Sequence, residues 1–336
     1  MKDIKIRLKN MAEREYAYFS GCSLEGTASE YDASVRAVLK ELNVRFREPD
    51  DWSCCGSTPA HTVDHVFAAA LAARNLRLIE KIGLDTVIAP CPACMTAFKK
   101  AQHSMTESEI FKNKVNELLD EPYNCGVESK SALQVLFEDV GLDAIAERVT
   151  HALPGLKVAP YYGCILNRPP EIAKFDDPEN PISMDKVLMA AGVEVTNFAF
   201  KLECCGAAFG VAKREMVNQL TYKVLSMALD SGANCIAVAC PLCQQNLDLR
   251  QEQVNKTMGS NLNIPILYFT QILGLVYGLP PREIGIDKLV VSADDIVYSR
   301  ITVEKKKKRA ELEAQAKAKK PEKKIAKEEV KTEENE

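Results

Sequence analysis

The sequence lacks the features that direct a protein to or through a membrane. No stretch approaches the roughly 18 apolar residues of a spanning helix; the nearest, ILYFTQILGLVYGL at 266–279, is shorter and includes polar residues. The first residues, MKDIKIRLKNMAEREYAYF, have no apolar core of about 7–15 residues such as a secretion signal needs. These absences predict a cytoplasmic protein without a membrane span.

Two cofactor motifs are absent as well. The chain contains no Cys-x-x-Cys-x-x-Cys-x-x-x-Cys-Pro run, which is typical of ferredoxin-type iron–sulfur clusters. It also contains no Gly-x-Gly-x-x-Gly loop, the usual signal of a bound flavin or nicotinamide. A redox protein with this sequence would have to receive its electrons from a partner.

An excess of positive charge is missing too. The formal net charge is −4, and from Glu304 onward 12 Lys or Arg stand against 9 Asp or Glu, so residues 1–303 carry about −7. Acidic residues alternate with the lysines of this end segment, which has no apolar periodicity. We therefore predict no nucleic-acid binding and a solvated, charged tail over residues 301–336.

Cysteine, in contrast, is abundant, and it follows an internal repeat. The chain has 12 Cys, which in a reducing compartment are more often metal ligands or redox groups than disulfides. YFSGC at 18–22 returns as YYGC at 161–164, SCCGS at 53–57 as ECCGA at 203–207, and TVIAPCPAC at 86–94 as CIAVACPLC at 235–243. The order is kept, so one unit has been duplicated.

Each repeat alternates short apolar runs with helical patterns. ASEYDASVRAVLKEL, VFAAALAARNLRLIEKIG and REMVNQLTYKVLSMALDSG have helical periodicity, and the last two end at a glycine. Strands alternating with helices predict a parallel sheet, with functional groups beyond the carboxyl ends of the strands. We predict an N-terminal extension (1–15), two pseudo-symmetric Rossmann-like α/β domains (16–150 and 151–300), each a short parallel sheet flanked by helices, and the tail.

Ten of the cysteines belong to the repeat, five in each unit. Zinc takes four ligands, and an ordinary cubane iron–sulfur cluster also takes four. A fifth thiol therefore suggests a cluster of unusual shape or a cysteine reserved for chemistry, while a structural zinc site or simple packing stays open as the alternative. The two sets are Cys22, Cys54, Cys55, Cys91 and Cys94, and Cys164, Cys204, Cys205, Cys240 and Cys243.

The order Cys, Cys-Cys-Gly, Cys-x-x-Cys, given twice, resembles the duplicated CCG cysteine-rich domain of the heterodisulfide reductase B subunit. The resemblance covers about residues 16–280 and includes SLEGTASEYD after Cys22, DDPENP at 176–181 and LYFTQILGLVYGL at 267–279. After the first Cys-Cys pair, CCGSTPAHTVDH at 54–65 looks like the bacterial members of the family.

This resemblance implies an iron–sulfur oxidoreductase that reduces, or reversibly forms, a disulfide. It implies two noncubane [4Fe-4S] clusters, one on each of the two cysteine sets. The disulfide substrate would be a small molecule or belong to a carrier protein. The expected partners are the ferredoxin-type C subunit and the flavin-containing A subunit of a heterodisulfide reductase-like complex.

Two alternatives come from other classes of protein. One is a non-catalytic iron–sulfur relay of a hydroxy-acid oxidase-type complex, although such relays usually carry the ferredoxin motif that is absent here. The other is a zinc-stabilised binding module.

Several further residues are candidates for roles at the site. His61, six residues beyond Cys55, is the catalytic candidate because a histidine near neutral pKa can protonate a leaving thiolate; a capping or core role is the alternative. Lys213 and Arg214 are candidates to hold an anionic substrate or are plain surface charges. Trp52 is expected to pack beside the first cluster.

Two cysteines and one apolar segment fall outside the ligand sets. Cys125 and Cys235 are expected to be non-ligands, since free cysteine is a common small core residue. LYFTQILGLVYGLPP is either a core helix or a helix on which a partner docks; the domain assignment above treats it as a docking helix.

Overall fold

Each half of the chain folds around a four-stranded parallel sheet. The computed structural model describes residues 14–57 and 60–305, so residues 1–13 of the predicted extension and residues 306–336 of the predicted tail lie outside the described residues. The strands are β1 (Glu15–Tyr18), β2 (Arg45–Arg47), β3 (Thr86–Ile88), β4 (Glu128–Lys130), β5 (His151–Ala152), β6 (Lys157–Tyr161), β7 (Glu194–Val195), β8 (Cys235–Val238), β9 (Ile266–Tyr268) and β10 (Ile301–Thr302).

The two large sheets have the same strand order. The first is β2-β1-β3-β4 and the second is β7-β6-β8-β9, and every pairing within them is parallel. β3 and β8 are inner strands with every residue buried, which is why both read as uninterrupted apolar runs. The predicted α/β class and the predicted pseudo-symmetry are confirmed.

Helices connect the strands and cover both sheets. They are α1 (Gly21–Glu25), α2 (Ser29–Glu41), α3 (Ala60–Val63), α4 (His65–Lys81), α5 (Pro92–Glu107), α6 (Glu109–Asn116), α7 (Ala132–Gln134), α8 (Leu142–Glu147), α9 (Pro170–Ala173), α10 (Ser183–Ala190), α11 (Arg214–Asp230), α12 (Pro241–Leu249), α13 (Gln251–Met258), α14 (Phe269–Tyr277) and α15 (Asp294–Ser299). A π-helical turn, Val135–Val140, joins α7 to α8.

The ends of the long helices follow from local chemistry. The Asp64 side chain accepts hydrogen bonds from the backbone N–H groups of Val66 and Phe67, which satisfies two of the donors at the start of α4. Gly83 and Gly232 follow α4 and α11 with φ of +76° and +81°, a conformation that favours glycine after a helix. The sequence places both helices within one residue of their observed starts.

The two units pack against each other through two equivalent pairs of helices. α2 of the first unit packs against α14 of the second, and α10 of the second unit packs against the π-helical turn and α8 of the first. In each contact, the first long helix of one unit meets the helical segment that follows the last strand of the other unit's large sheet. The buried apolar residues of both units consequently form one continuous core.

The helix α14 is a core element. All nine of its residues are buried, and the apolar segment in which it lies divides into the strand β9 and this helix. The domain assignment that made it a docking helix is therefore corrected: its apolar face is used to join the two units, so it offers no free face to a partner. Among the helices of residues 14–57 and 60–305, none combines the length and the hydrophobicity that a membrane span requires.

Candidate functional site

The ten repeated cysteines follow the carboxyl ends of corresponding strands in the two sheets. Cys22 and Cys164 come after the inner strands β1 and β6, and the Cys-Cys pairs come after the edge strands β2 and β7. The Cys-x-x-Cys motifs come after β3 and β8 and open the helices α5 and α12. Because carboxyl ends of parallel strands share one edge, each unit gathers its five thiols on that edge.

Exposure of the five thiols follows the same gradient in both units. The first cysteine of each set, Cys22 or Cys164, is exposed, and the first member of each adjacent pair, Cys54 or Cys204, is partly buried. The remaining three cysteines of each set are buried. A group held by all five would thus be anchored in the protein and reached from solvent on the side of the first cysteine.

Glycines bring the backbone close to the sulfur atoms. Gly21 and Gly163, each directly before the first cysteine of its set, have φ of +66° and +75°. A Cβ added to Gly21 would lie 3.2 Å from the Cys94 sulfur, and one added to Gly163 would lie 3.2 Å from the Cys243 sulfur. Both positions need glycine for its backbone conformation and for the space beside a cysteine.

A second pair of glycines shapes the Cys-Cys loops. Gly56 and Gly206 have φ of +83° and +82°. A Cβ at Gly56 would lie 2.4 Å from the carbonyl oxygen of Ala68, whereas one at Gly206 would meet Val217 Cα at 3.2 Å. The glycine predicted after each pair is thus required by the backbone turn, and more strictly in the first unit.

The buried thiols of each set are linked by hydrogen bonds. A hydrogen bond from Cys94, together with the backbone N–H groups at the start of α5, lowers the pKa of Cys91 to about 7. In the second unit, Cys205 and Cys243 share a hydrogen bond, with their sulfurs 3.8 Å apart, and this bond is the largest cause that lowers the pKa of Cys205 to about 7. The pKa values of their partners Cys94 and Cys243 are raised by these hydrogen bonds and by burial.

Burial and crowding act on the outer thiols. Although the side chains of Cys22 and Cys164 reach the surface, the protein atoms around them exclude part of their water. This partial desolvation is the largest cause that raises the pKa of Cys164 to about 12, and neighbouring thiolates add to it, first Cys204 and then Cys240. It also raises the pKa of Cys22, followed by the repulsion from Cys54 and Cys55. Thiols that raise each other's pKa lose their protons most readily when they bind a shared metal cation.

Different side chains brace the two Cys-Cys loops. In the first unit the fully buried Asn75 accepts from the Ser53 N–H at 2.8 Å and donates to the carbonyls of Ser53 and Cys54. In the second unit the Cys205 carbonyl accepts from both Thr221 and Asn246, at 3.2 and 3.0 Å. These braces are not predicted from the sequence, because a buried polar residue on a helix has no spacing signal that distinguishes it.

The two Cys-x-x-Cys loops meet at one tyrosine. The Tyr31 hydroxyl, on α2, lies 3.4 Å from the carbonyl oxygen of Pro90 and 3.2 Å from that of Ala239. Pro90 directly precedes Cys91, and Ala239 directly precedes Cys240. Tyr31 is buried and stacks on Tyr268 with ring centres 4.1 Å apart. The two cysteine sets are therefore neighbours across the boundary between the units.

A reciprocal pair of contacts joins the same region. Thr96, two residues beyond Cys94, donates to the Ile165 carbonyl at 3.4 Å, next to Cys164. Gln245, two residues beyond Cys243, donates to the Thr27 carbonyl at 2.9 Å, in the loop after α1. Each Cys-x-x-Cys helix thus supports the loop of the first cysteine in the other unit.

The donor set fits a multi-iron cluster better than a single metal ion. Within residues 14–57 and 60–305, no group of three or more His, Cys, Asp or Glu side chains is arranged to hold one metal ion. The zinc alternative needs four ligands around a single atom, which would leave the fifth thiol of each set without a role. Five thiols spread along one edge, with two glycines making space beside the sulfurs, suit the thiolate ligation of a larger iron–sulfur group.

The other predicted residues lie near these sets to different degrees. Trp52 packs edge-on against Phe19, with ring centres 5.4 Å apart, and Phe19 itself lies beside Gly21 and therefore beside the first cysteine set. His61 is exposed on α3; its catalytic role stays a prediction. Lys213 and Arg214 line a shallow depression of about 400 Å³ at the start of α11, and their role with an anionic substrate also stays a prediction.

A second depression touches a cysteine directly. It has a volume of about 390 Å³, and its walls include Cys164, Arg168 and Glu179. Arg168 and Glu179 form an ion pair at 3.0 Å. The exposed cysteine of the second unit thus opens into a surface hollow with charged groups on one wall.

The two cysteines outside the repeat lie away from these sets. Cys235 opens β8 at the amino end of the strand, opposite Cys240, and burial raises its pKa to about 12. Cys125 lies in the loop before β4, and burial raises its pKa as well. That neither cysteine binds the cofactor stays a prediction, with which this placement agrees.

The fold and the cysteine sets define a duplicated cysteine-rich α/β protein. The model of the CCG cysteine-rich domain matches residues 16–99 and again residues 158–248. The chain belongs to this family, and its two copies coincide with the two cysteine-bearing sheets described above.

Individual relatives extend over nearly the whole chain. The 8-methylmenaquinol:fumarate reductase membrane anchor subunit of Wolinella succinogenes is 32% identical over 84% of this chain and 98% of its own length. A protein of Archaeoglobus profundus, named as similar to the heterodisulfide reductase B subunit, is 29% identical over 87% of this chain and 99% of its own length. The predicted resemblance to the heterodisulfide reductase B subunit is confirmed.

A more distant relative and a solved structure add cofactor class and fold. An uncharacterized iron–sulfur protein of Methanococcus maripaludis is 22% identical over 77% of this chain and 46% of its own length. The crystal structure of a hypothetical protein from Helicobacter pylori matches with a TM-score of 0.65 at 13% identity, over 87% of this chain and 57% of that one. The first supports iron–sulfur clusters in this family, and the second shows the fold alone.

Proposed function

We propose that this chain is the disulfide-reducing component of a heterodisulfide reductase-like complex. In this proposal it holds two noncubane [4Fe-4S] clusters, one on each five-cysteine set. The observation that carries it is the meeting of two equivalent thiol sets at Tyr31, whose hydroxyl contacts the residue before each Cys-x-x-Cys motif. Cleavage of a disulfide into two thiols needs two electrons and two protons, which gives a reason for a duplicated site.

The residues of the chain would bind and orient both the clusters and the substrate. Bound at these cysteines, each cluster would supply one electron and an iron that accepts one sulfur of the substrate. The exposed Cys22 and Cys164 mark the side on which a disulfide arrives, and the hollow at Cys164 supports an entry point there. Arg168, beside that hollow, and Lys213 and Arg214, at the start of α11, are the proposed cationic groups for an anionic substrate.

Protons and electrons must come from separate sources. His61, exposed on α3 beyond the first Cys-Cys pair, is the proposed donor of a proton to a leaving thiolate. The electrons would come from a partner, because the chain has no ferredoxin-type motif of its own. Relatives named as components of reductases support a multi-subunit complex; a ferredoxin-type C subunit that receives electrons from a flavin-containing A subunit is the proposed arrangement.

The first test of the proposal is the metal content of the full chain purified without oxygen. Two four-iron clusters predict about eight irons and eight sulfides per chain. Reduced viologen should then reduce a disulfide, with the coenzyme M–coenzyme B heterodisulfide, cystine and glutathione disulfide as probes. Zinc in place of iron would overturn the proposal, and full iron with no turnover of any disulfide would favour the second candidate below.

A second candidate function is electron relay without disulfide chemistry. The observation that favours it is the similarity to a membrane anchor subunit of a fumarate reductase complex, which extends over 98% of that relative's length. In this case the chain passes electrons between a donor and a partner, as proposed for relay components of hydroxy-acid oxidase-type complexes. A thiol added to the oxidised protein would change the EPR signal if the disulfide chemistry operates and leave it unchanged if the chain is a relay.

A further inference from the structure

An ion pair lies behind the first cysteine of each set, and the two pairs have opposite polarity. On α2 of the first unit the charged residue is Arg36, and on α10 of the second unit it is Asp185. Each stands seven residues before the positive-φ residue that follows its helix, Asn43 or Gly192. These are therefore equivalent positions, occupied by a cation in one unit and by a carboxylate in the other.

In the first unit the Arg36 guanidinium joins three segments. It pairs with Glu48, directly after β2, at 2.6 Å and with Asp32 on its own helix at 2.7 Å. Ser20, two residues before the first cysteine of the set, donates to the same Glu48 carboxylate. The guanidinium also lies over the buried ring of Tyr18, at 4.2 Å from its centre. The loop of the first cysteine, α2 and the start of the Cys-Cys loop are thus held together.

In the second unit Lys201, three residues before the Cys-Cys pair, has the same place in the network with the charges exchanged. Its ammonium group donates to Asp185 at 2.6 Å and to the Pro181 carbonyl at 2.9 Å. The hydroxyl of the buried Tyr162 donates to the other oxygen of Asp185 at 2.7 Å. The backbone N–H groups of Tyr162 and Gly163 donate to the Lys201 carbonyl at 2.9 and 3.1 Å. One lysine therefore ties the first-cysteine loop to the Cys-Cys loop.

The second network also supports the hollow beside the exposed cysteine. The segment between the first cysteine and the helix is seven residues longer in this unit, 19 against 12 when counted to the equivalent positions Ser183 and Ser34. Glu179, on the wall of the hollow, belongs to this longer segment. The hydrogen bond from Lys201 to the Pro181 carbonyl holds the same segment, so the wall and the cysteine loop share one anchor.

The pair in the second unit is the more deeply placed of the two. The side chains of Lys201 and Asp185 are 12% and 13% exposed, against 28% and 29% for Arg36 and Glu48. When one member of a nearly buried ion pair is removed, the other is left as an uncompensated charge. The loops that such a pair holds consequently depend on both of its members.

We propose that Lys201 is a positioning residue of the second cysteine set, which fixes Cys164 relative to the Cys-Cys pair of its unit through the ion pair with Asp185. Arg36 performs the same task in the first unit with the charges exchanged. The inference rests on the proposed binding of one cluster by each cysteine set. Its consequence is that each ion pair controls one cluster, so a change in one pair affects the cluster of its own unit only.

The test uses two single-cluster backgrounds in the full chain purified without oxygen. Cys55→Ser should retain only the second cluster and Cys205→Ser only the first, each with about four irons. Adding Lys201→Met to Cys55→Ser should lower that iron content and alter the EPR spectrum, whereas adding it to Cys205→Ser should change neither. Arg36→Met should give the reverse result in the two backgrounds.

Charge-conserving and charge-exchanged variants separate the ion pair from the rest of the side chain. Lys201→Arg keeps the cation and should retain the iron and the spectrum of the second cluster. Lys201→Glu combined with Asp185→Arg restores a pair with the polarity of the first unit and should retain more iron than either single change. Lys157→Met is the control, because it removes an ion pair with Glu194 at the start of β6 and β7, at the edge opposite the cysteines; iron should stay unchanged.

The outcomes distinguish a positioning role from a purely structural one. A lower thermal midpoint in Lys201→Met, with full iron and an unchanged spectrum of the second cluster, would overturn the inference. Loss of the first cluster as well in Lys201→Met would also overturn it, since that result means general unfolding. Absence of iron from the native chain would overturn the proposed function and this inference together, whereas iron without disulfide turnover would count against the proposed function alone.

Discussion

The two units of the chain have the same backbone arrangement around their cysteines and differ in the side chains that surround it. Strand order, the positions of five cysteines, their gradient of exposure and the positive-φ glycines are the same in both. The neighbours differ: the first unit has Phe19 packed against Trp52 and Phe98 and one asparagine brace, and the second has Tyr161, Leu202 and Leu247 and a double brace. Duplication has therefore kept the ligand geometry while the surrounding residues diverged, so functional differences between the two sites are to be sought in those residues.

The largest expected effect tests whether the two cysteine sets bind their clusters independently. Cys55→Ser and Cys205→Ser should each reduce the iron content from about eight to about four per chain, since each removes a thiolate from one set of five. Iron and sulfide analysis with EPR of the oxidised protein is the measurement.

The control for this comparison is Cys125→Ser. Its side chain lies in the loop before β4, away from both sets, and its iron content should equal that of the native chain. Loss of all iron from either single ligand variant would contradict independence and would mean that one cluster is needed to shape the other site.

A second comparison concerns the glycines of the Cys-Cys loops. Gly56→Ala should destabilise the protein more than Gly206→Ala, because its Cβ would lie 2.4 Å from a backbone oxygen that cannot easily move. For Gly206→Ala, the left-handed backbone itself costs about 1–2 kcal/mol, and its nearest contacts, at 3.1 Å and beyond, are with residues of α11. Thermal unfolding midpoints and iron content measure both effects.

Gly192→Ala separates the backbone cost from the steric cost. Gly192 has φ of +78° and no atom within 4 Å of an added Cβ, so this variant should show the backbone penalty alone. A midpoint for Gly56→Ala equal to that of Gly192→Ala would show that the loop relaxes freely around Ala68.

A third comparison concerns the braces. Asn75→Ala removes the side chain that bonds the Ser53 N–H and the Cys54 carbonyl, so about 1–3 kcal/mol should be lost for a group left unpaired. Thr221→Val leaves Asn246 on the Cys205 carbonyl and should cost about 1 kcal/mol. The thermal midpoint should therefore fall further for Asn75→Ala; the reverse order would contradict the assigned roles.

Much of this arrangement could be predicted from the sequence. The repeat, the parallel α/β class and the ten cysteines at strand ends depend on local patterns and spacing, and these are visible in one chain. Three other features cannot be read from the sequence: the packing of α2 against α14 between the units, the hydrogen bonds of Asn75 and Thr221, and the position of Tyr31. They depend on which helix faces meet in space, and neither periodicity nor composition encodes that. The apolar segment before Pro280 illustrates the limit, since its hydrophobicity is equally suited to a partner surface and to an internal one.

The smallest expected effect concerns the tyrosine pair between the units. Tyr31→Phe keeps the ring stacked on Tyr268 and removes only the hydroxyl near Pro90 and Ala239. Its two contacts, at 3.4 and 3.2 Å, are long for hydrogen bonds to oxygen, so a loss of about 0.5–1.5 kcal/mol is expected. Because this hydroxyl contacts both Cys-x-x-Cys loops, EPR spectra of both clusters should change together. Tyr268→Phe removes a buried hydroxyl that has no partner among the described residues and should leave stability unchanged or slightly increased. If Tyr31→Phe changed the EPR spectrum of one cluster only, the hydroxyl would support one Cys-x-x-Cys loop only. Contact between the two sites would then depend on the packed helices and not on this residue.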